Sequence, residues 1–312
     1  MARRIWAQLE QSQMLPTAGD GARALAVGRG SSGARGGIAY ELEEVEAAAE
    51  TYPETRAFVR LVAALIHVPA DAVGVTAEAA SAASASASVP ADLGSAYRVP
   101  GVGPYVSFVL DSVLLKAEQR AYRVPDEKWR VYALALDVVE RSLSTLDLSM
   151  FVGTHATVTP DALRELATHP GFEVAVRVLC GSRLLDALLR VLDAGVDAVN
   201  AGAAAASAVL PALRILLRVL HVQTAVLRGA VPALAEADSL GFALNLPRSL
   251  TTLEQLLLSR RESVVQIAAL VGAVDPHVSL AAVRIVHILA DSTVFNGVDD
   301  RVTRGALTLN RM

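Results

Sequence analysis

The sequence predicts an all-α fold, an irregular α-solenoid of stacked helix pairs in the HEAT and armadillo manner. Three observations predict it. The chain is 53% hydrophobic but only 4% aromatic, and its apolar content is Ala, Leu and Val. Ala and Leu are good helix formers, whereas strands favour aromatic and β-branched side chains. Apolar residues recur three and four apart, and no segment alternates convincingly with period two. Proline recurs where one apolar stripe stops and the next starts, which suits a residue that opens a helix but cannot continue one.

At the N-terminus, Trp6 to Gln13 reads as one short helix ended by Pro16, and 17–37 is Gly, Ser, Ala and Arg with too little bulk to order itself. From Tyr40 the pattern is helical, with a stripe of Leu42, Val45, Ala49 and Tyr52. Pro53 then ends one helix and opens another, which buries Phe58, Leu61, Val62 and Leu65, with Glu54 favourable at the positive N-terminus. The stretch 68–93 contains SAASASAS and reads as a solvated low-complexity loop.

The proline punctuation then repeats at Gly103-Pro104, Val124-Pro125, Thr159-Pro160 and Asp275-Pro276, with Thr159 and Asp275 as N-caps. TTLE at 251–254 has the form of a capping box. The expected core stripes are Val106, Val109, Leu110, Val113 and Leu114, then Val131, Leu134, Val138 and Val139, then Val178, Leu185, Leu188 and Leu192. Two late stripes are Val264, Ile267, Leu270 and Val271, and Val278, Ala282, Ile285 and Leu289. Pro211 lies inside the strong pattern from Ala203 to Leu227 and is expected to kink or split it. Helices around 184–192 and 213–220 are apolar on more than one face, so they need neighbours on two sides, although no clean sequence repeat accompanies them. The chain divides into 1–39, a short helix plus Gly/Arg-rich loop, and 40–312, a solenoid segment with a low-complexity loop at about 68–95.

Composition also excludes functions. A net charge of −4 gives no overall pull toward nucleic acid or anionic membrane. A single cysteine, Cys180, cannot form an intramolecular disulfide, so a reducing compartment fits, and its setting in VLCGS suits a buried small hydrophobe. The longest uncharged run, 198–213, is too short and too rich in Ala and Gly to span a membrane, and Arg214, Arg218 and Arg228 interrupt the apolar stretch beyond it. The Arg-rich start faintly resembles a transit peptide, but Glu10, Asp20 and Trp6 count against one.

The candidate chemical motifs are weak. GRGSSG at 28–33 matches a dinucleotide fingerprint without the strand and helix that make it work. PGVGP at 100–104 has the form of a helix-hairpin-helix DNA contact, but Tyr105, Val106 and Phe108 stand where a DNA reader would place lysines. The six histidines, His67, His155, His169, His221, His277 and His287, lack metal-ligand spacing, and no Gly-x-Ser-x-Gly elbow is present. The expectation is no catalytic residue, no cofactor and no metal site. One cluster joins cations with aromatics: Arg120, Tyr122 and Arg123, then Trp129 and Arg130 beside Lys128. It is either a helix-turn-helix corner anchored by Tyr122 and Trp129, its cations solvated or paired with Asp126 and Glu127, or a partner-binding surface.

The same corner carries a family resemblance. GVGPYVSFVLDSVLLK at 101–116 and RAYRVPDEKWR at 120–130 resemble a characteristic stretch of the large inner-ring scaffold nucleoporins of the nuclear pore complex. So do ELEEVE at 41–46 and YPETRAF at 52–58, and upstream Trp6 with LEQSQ at 9–13 and LPT at 15–17. HPGF at 169–172 and Asn310-Arg311 are similar to later landmarks, so the resemblance spans nearly the whole chain in one order. It implies a superhelical α-solenoid at the nuclear pore complex of the nuclear envelope, which holds other nucleoporins and supports nucleocytoplasmic transport. It implies no small-molecule substrate, no direct nucleic acid and no transmembrane segment. The stretches 19–37 and 70–95 look like loops longer than that family needs. Members of the family are several times longer, so the chain is expected to be an internal piece of one, or a truncated reading of its gene, with a terminal helical layer around 264–291 too apolar to face water. The rival readings are a HEAT/armadillo-like adaptor unrelated to the pore and a helix-hairpin-helix nucleic-acid binder with steep salt dependence.

Overall fold

The computed structural model describes residues 37–66, 102–151, 159–238 and 249–292, together with Ile5, Gln8, Leu15 and Pro247. The expected helix at 6–13 and the loops at 17–37 and 68–95 lie almost wholly outside these, although Ile5 and Gln8 are helical. Among the described residues every regular element is a helix. Helix α1 is assembled from Ile38–Tyr40, a π-helical stretch Glu41–Glu46, and Ala47–Ala49; α2 is Pro53–Leu65. Helix α3 is Gly103–Phe108, running on as a π-helix through Val109–Leu114, and α4 is Pro125–Ser144. Then come α5 (Pro160–Thr168), α6 (Pro170–Leu179), α7 (Arg183–Leu192), α8 (Gly195–Asn200) and α9 (Ala206–Ala225, continued by Val226–Ala230 and Val231–Asp238). The last are α10 (Leu253–Ser259), α11 (Arg261–Ala269, with a 3₁₀ turn Leu270–Gly272) and α12 (Pro276–Asp291).

Proline-opened helix starts stand where expected, at Pro53, Gly103-Pro104, Pro125, Pro160 and Pro276. Thr159 accepts from the Ala162 N–H at 3.3 Å and Asp275 from the His277 N–H at 2.8 Å, so each cap satisfies a free donor of its first turn. The core is layered. Helix α4 packs on α2, α3, α6 and α9; α9 in turn packs on α4, α6, α7 and α12. The two long middle helices therefore have neighbours on more than one face. Leu213, Ile215, Leu216, Leu217 and Val219 of α9 are all fully buried, and each such side chain is worth about 1.5–3 kcal/mol when taken from water.

Three local expectations need correction, and at Pro211 one of the two expected outcomes is excluded. In α1 the buried positions are Ile38, Leu42 and Glu46, while Val45 is 43% exposed. The π-helical turn widens the helix, so its inner stripe steps by four and puts a carboxylate where periodicity placed a valine. Helix α9 is not split at Pro211: it stays helical through that position, forgoing one bond to the Ser207 carbonyl in exchange for continuous burial on both sides. The cap of α10 is Thr252, not Thr251, since Thr252 accepts from Gln255 N at 3.4 Å. Glu254 instead accepts from the Gln223 side chain of α9 at 2.6 Å, while the other end of that amide takes the Leu253 N–H at 2.8 Å. Finally, the stripe from Val178 to Leu192 is two helices, broken at Gly181, whose φ of 66° ends α6. Cys180 at that break is only partly buried and donates to the Arg177 carbonyl.

Among the described residues one helix, Ala206–Glu236, is long and apolar enough to cross a membrane, but 61% of its most apolar stretch is buried in the fold. Its neighbours α4 and α12 make it the central core helix. The other end of the layer stack is different. Val265, Val271, Val274, Leu280 and Val283 of the α11–α12 layer are exposed by 38–79%, while the opposite face of α12, Val278, Ala282, Ile285 and Leu289, is buried.

Candidate partner-binding corner

The corner between α3 and α4 is sewn to the junction of α1 and α2. Helix α1 stops at Glu50, which adopts the left-handed conformation at φ 56°. The Glu50 carbonyl then takes the Arg123 N–H at 2.9 Å. Tyr52, fully buried, spans the seam: its hydroxyl donates to the Ala121 carbonyl at 2.9 Å and its ring lies 4.9 Å from that of Tyr122. Its backbone N–H, left free because Pro53 opens α2, donates to Glu127 at 3.1 Å. Glu127 is buried and also pairs with Arg56 of α2 at 3.1 Å.

On the α1 side Glu46 caps α2 in the same manner. Its carboxylate accepts from the N–H groups of Glu54 at 2.6 Å and Thr55, and from the Thr55 hydroxyl. Burial pushes the Glu46 carboxyl above its ordinary value against the lowering effect of those donors.

The corner residues separate into two groups. Arg120 turns inward: its guanidinium donates to the carbonyls of Val113 at 3.2 Å and Ser112 at 2.6 Å, where α3 ends, and to Glu43 of α1 at 2.9 Å. A cation at a helix C-terminus is favoured by the helix dipole. Tyr122 is partly buried with its hydroxyl enclosed, and burial pushes its pKa well up. Trp129 lies on the body of the fold, 5.7 Å from the Tyr132 ring, with the Lys128 ammonium 5.0 Å over its face. Arg123, Val124 and Arg130 face solvent, Val124 at 52% exposure.

Of the two settings the helix-turn-helix reading allowed its cations, solvated or paired with Asp126 and Glu127, Arg123 and Arg130 take the first, and Arg120 and Lys128 find other carboxylates. Glu127 is taken by Tyr52 and Arg56, Lys128 pairs with Glu118 at 2.7 Å, and Arg120 pairs with Glu43. Burial works against the Glu118 carboxylate, but hydrogen bonds from Lys128 and Tyr132 hold its pKa below the ordinary value.

Pro100 and Gly101 of the expected hairpin lie outside the described residues. Val102, Tyr105 and Val106 are buried, and the Val102 carbonyl already takes the N–H groups of Tyr105 and Val106 at 3.0 and 3.1 Å. Among the described residues no group of three or more His, Cys, Asp or Glu side chains is placed to hold a metal ion.

Comparison with known proteins decides what this helical stack is. Residues 1–308 match the Nup192 family, described as nuclear pore complex scaffold, nucleoporins 186/192/205. The chain belongs to that family. It is 30% identical to the human nuclear pore complex protein Nup205 over 191 residues, which is 61% of this chain and 8% of the relative. The Drosophila melanogaster Nup205 is 31% identical over 193 residues, 60% of this chain and 7% of that relative. The chain thus spans less than a tenth of the length of the curated relatives it matches.

The chain is thus a member of a family of nuclear pore complex scaffold nucleoporins, and its described residues form the helical stack of an all-α fold. The rival adaptor and nucleic-acid readings are not favoured by these matches. Sequence reasoning found the corner through its aromatics and cations and named Glu127 beside them, but did not foresee that Tyr52, Glu127 and Glu46 tie it to the α1–α2 junction. The signal for Tyr52 was present: a residue before proline leaves its N–H outside any helix and so needs a partner.

Proposed function

We propose that this segment is a structural piece of the inner-ring scaffold that binds other nucleoporins through surface patches and performs no catalysis. The observation that carries the reading is the exposed apolar face of the α11–α12 layer, on a chain whose family is scaffold nucleoporins. Val265, Val274 and Leu280 are 66%, 79% and 49% exposed there. Apolar side chains grouped on one layer of a helical stack mark a face built to be covered by further helices. The corner supplies a second contact, with Arg123, Arg130 and Trp129 as interface anchors of the kind that carry binding energy, and with Arg120 and Tyr122 fixing their placement. Residues 40–312 act as one helical segment in this reading, and support of nucleocytoplasmic transport comes from the pore that the scaffold holds open.

Sedimentation velocity tests whether the α11–α12 face is adhesive. The purified chain is expected to self-associate with rising concentration. The double variant Val265→Lys/Leu280→Lys is expected to stay monomeric with a melting temperature within a few degrees of the parent, since both side chains are exposed. A parent chain that is monomeric across the same range, or a variant that associates equally, would contradict the assignment of this face.

A further inference from the structure

His169 stands where three helices meet. It ends α5 and caps α6, with extended backbone at φ −73° and ψ 125°. Nδ1 accepts from the Gly171 N–H at 3.0 Å, which fixes the proton on Nε2, and the ring lies beside the backbone of Thr145 at the end of α4. Gly171 is itself pressed on α4, since a Cβ there would lie 2.3 Å from the Ser142 carbonyl oxygen and 3.1 Å from the imidazole.

We infer that His169 is an acid-sensitive latch that ties α5 to α4 and α6, and that protonation of its Nδ1 releases α5 locally while the α4–α9 core stays folded. A proton on Nδ1 would point at the Gly171 N–H, turning an acceptor facing a donor into two donors face to face. Helix α5 is the element set to respond. It is nine residues long, only Leu163 and Leu166 in it are buried, and its packing partners are α6 and the last turn of α9. Helix α6 by contrast buries Phe172, Val174, Ala175, Val178 and Leu179 and is held from several sides.

Charged groups on the packed elements are engaged elsewhere. Glu140 faces Arg214 and Arg218, Arg141 pairs with Asp137, Arg164 with Asp161 and Glu173 with Arg177. Asp147 caps the Ser149 N–H, and Glu165 and Glu236 are exposed. Burial lowers the ring's pKa from 6.5 to about 4, against the raising effect of the Thr145 backbone. A base whose folded pKa is depressed contributes stability in full above about pH 6.5, and that contribution is lost as pH falls toward about 4.

Amide hydrogen exchange, corrected for the intrinsic pH dependence of exchange, tests the latch on the whole chain. Protection of the α5 amides from Leu163 to Thr168 is expected to fall roughly 20-fold between pH 7 and pH 5, the ratio set by those two pKa values. Amides of α9 are expected to keep theirs. In His169→Gln, whose amide can still accept and donate but cannot titrate in this range, the α5 profile is expected to be flat. A long-range ¹H–¹⁵N spectrum of the wild-type ring is expected to show the Nε2–H tautomer at pH 7, independently of any variant. Equal loss of protection in α5 and α9, an unchanged α5 profile in wild type, or the same pH dependence in His169→Gln would overturn the latch.

Discussion

Gly171→Ala is expected to destabilise the chain by about 3 kcal/mol, near the upper end of what overpacking costs. The new Cβ would lie 2.3 Å from the Ser142 backbone oxygen, a distance no Cβ contact tolerates. Neither partner can yield cheaply. Ser142 lies in the last turn of α4, where its carbonyl also takes the Thr145 hydroxyl at 2.8 Å. Gly171 is fixed by its N–H bond to His169 and by Pro170 before it. The strain therefore has to separate α6 from α4, and the whole buried face of α6 feels it. Gly272→Ala is the matched control, because nothing lies within 4 Å of its added Cβ and its backbone has no positive φ. Thermal melts of the two variants read the contrast: a drop of several degrees for Gly171→Ala and no change beyond the ordinary surface range for Gly272→Ala. Equal melts for both would show that α4 and α6 do not approach so closely at Gly171.

Glu140→Ala is expected to cost a similar amount, about 3 kcal/mol, through charge rather than volume. Glu140 and Arg218 are each 7% exposed, one on α4 and one on α9, at the most extensive helix contact among the described residues. The carboxylate lies 3.8 Å from Arg214 and 4.0 Å from Arg218, close enough to offset two cations that repel each other. Burial alone pushes the Glu140 carboxyl up and the Arg218 guanidinium down, so both are penalised by desolvation and each depends on the other. Removing the carboxylate takes away the counter-charge that Arg214 and Arg218, one turn apart on α9, share across the contact with α4. Replacing both members, Glu140→Leu with Arg218→Met, removes the desolvation cost along with the attraction and is expected to restore most of the loss. Chemical denaturation of Glu140→Leu, Arg218→Met and the two combined gives the coupling directly. A Glu140→Ala variant as stable as the parent would show that the pair is not a structural element of this interface.

Much of the fold was legible because helix starts leave chemical marks. Thr159 and Asp275 cap where a polar side chain precedes proline, and Val278, Ala282, Ile285 and Leu289 are buried as a 3.6-residue stripe requires. What was not legible depends on geometry that spacing does not encode. The π-helical turn in α1 changes the period, so Glu46 goes in and Val45 goes out. The cap of α10 shifts by one residue because Gln223, thirty residues earlier in the chain, takes the Leu253 N–H and holds Glu254. At the corner, residue types announced an arginine and aromatic cluster, but long-range partners decided which of them face water. Arg120 is drawn in by Glu43 and two helix-end carbonyls, whereas Arg123 is left out by the bond its backbone makes to Glu50. The apolar last layer was foreseeable from Val264 to Val274, since no charge lies on that run.

The scaffold reading stands or falls on binding. Size-exclusion chromatography with light scattering, of the chain mixed in turn with purified inner-ring nucleoporins and with duplex DNA, measures it. The expected result is a stoichiometric complex with at least one nucleoporin, weakened at least tenfold by Arg123→Glu/Arg130→Glu, and no DNA complex at physiological salt. A chain that binds none of the nucleoporins, or that binds DNA with affinity falling steeply as salt rises, would contradict it.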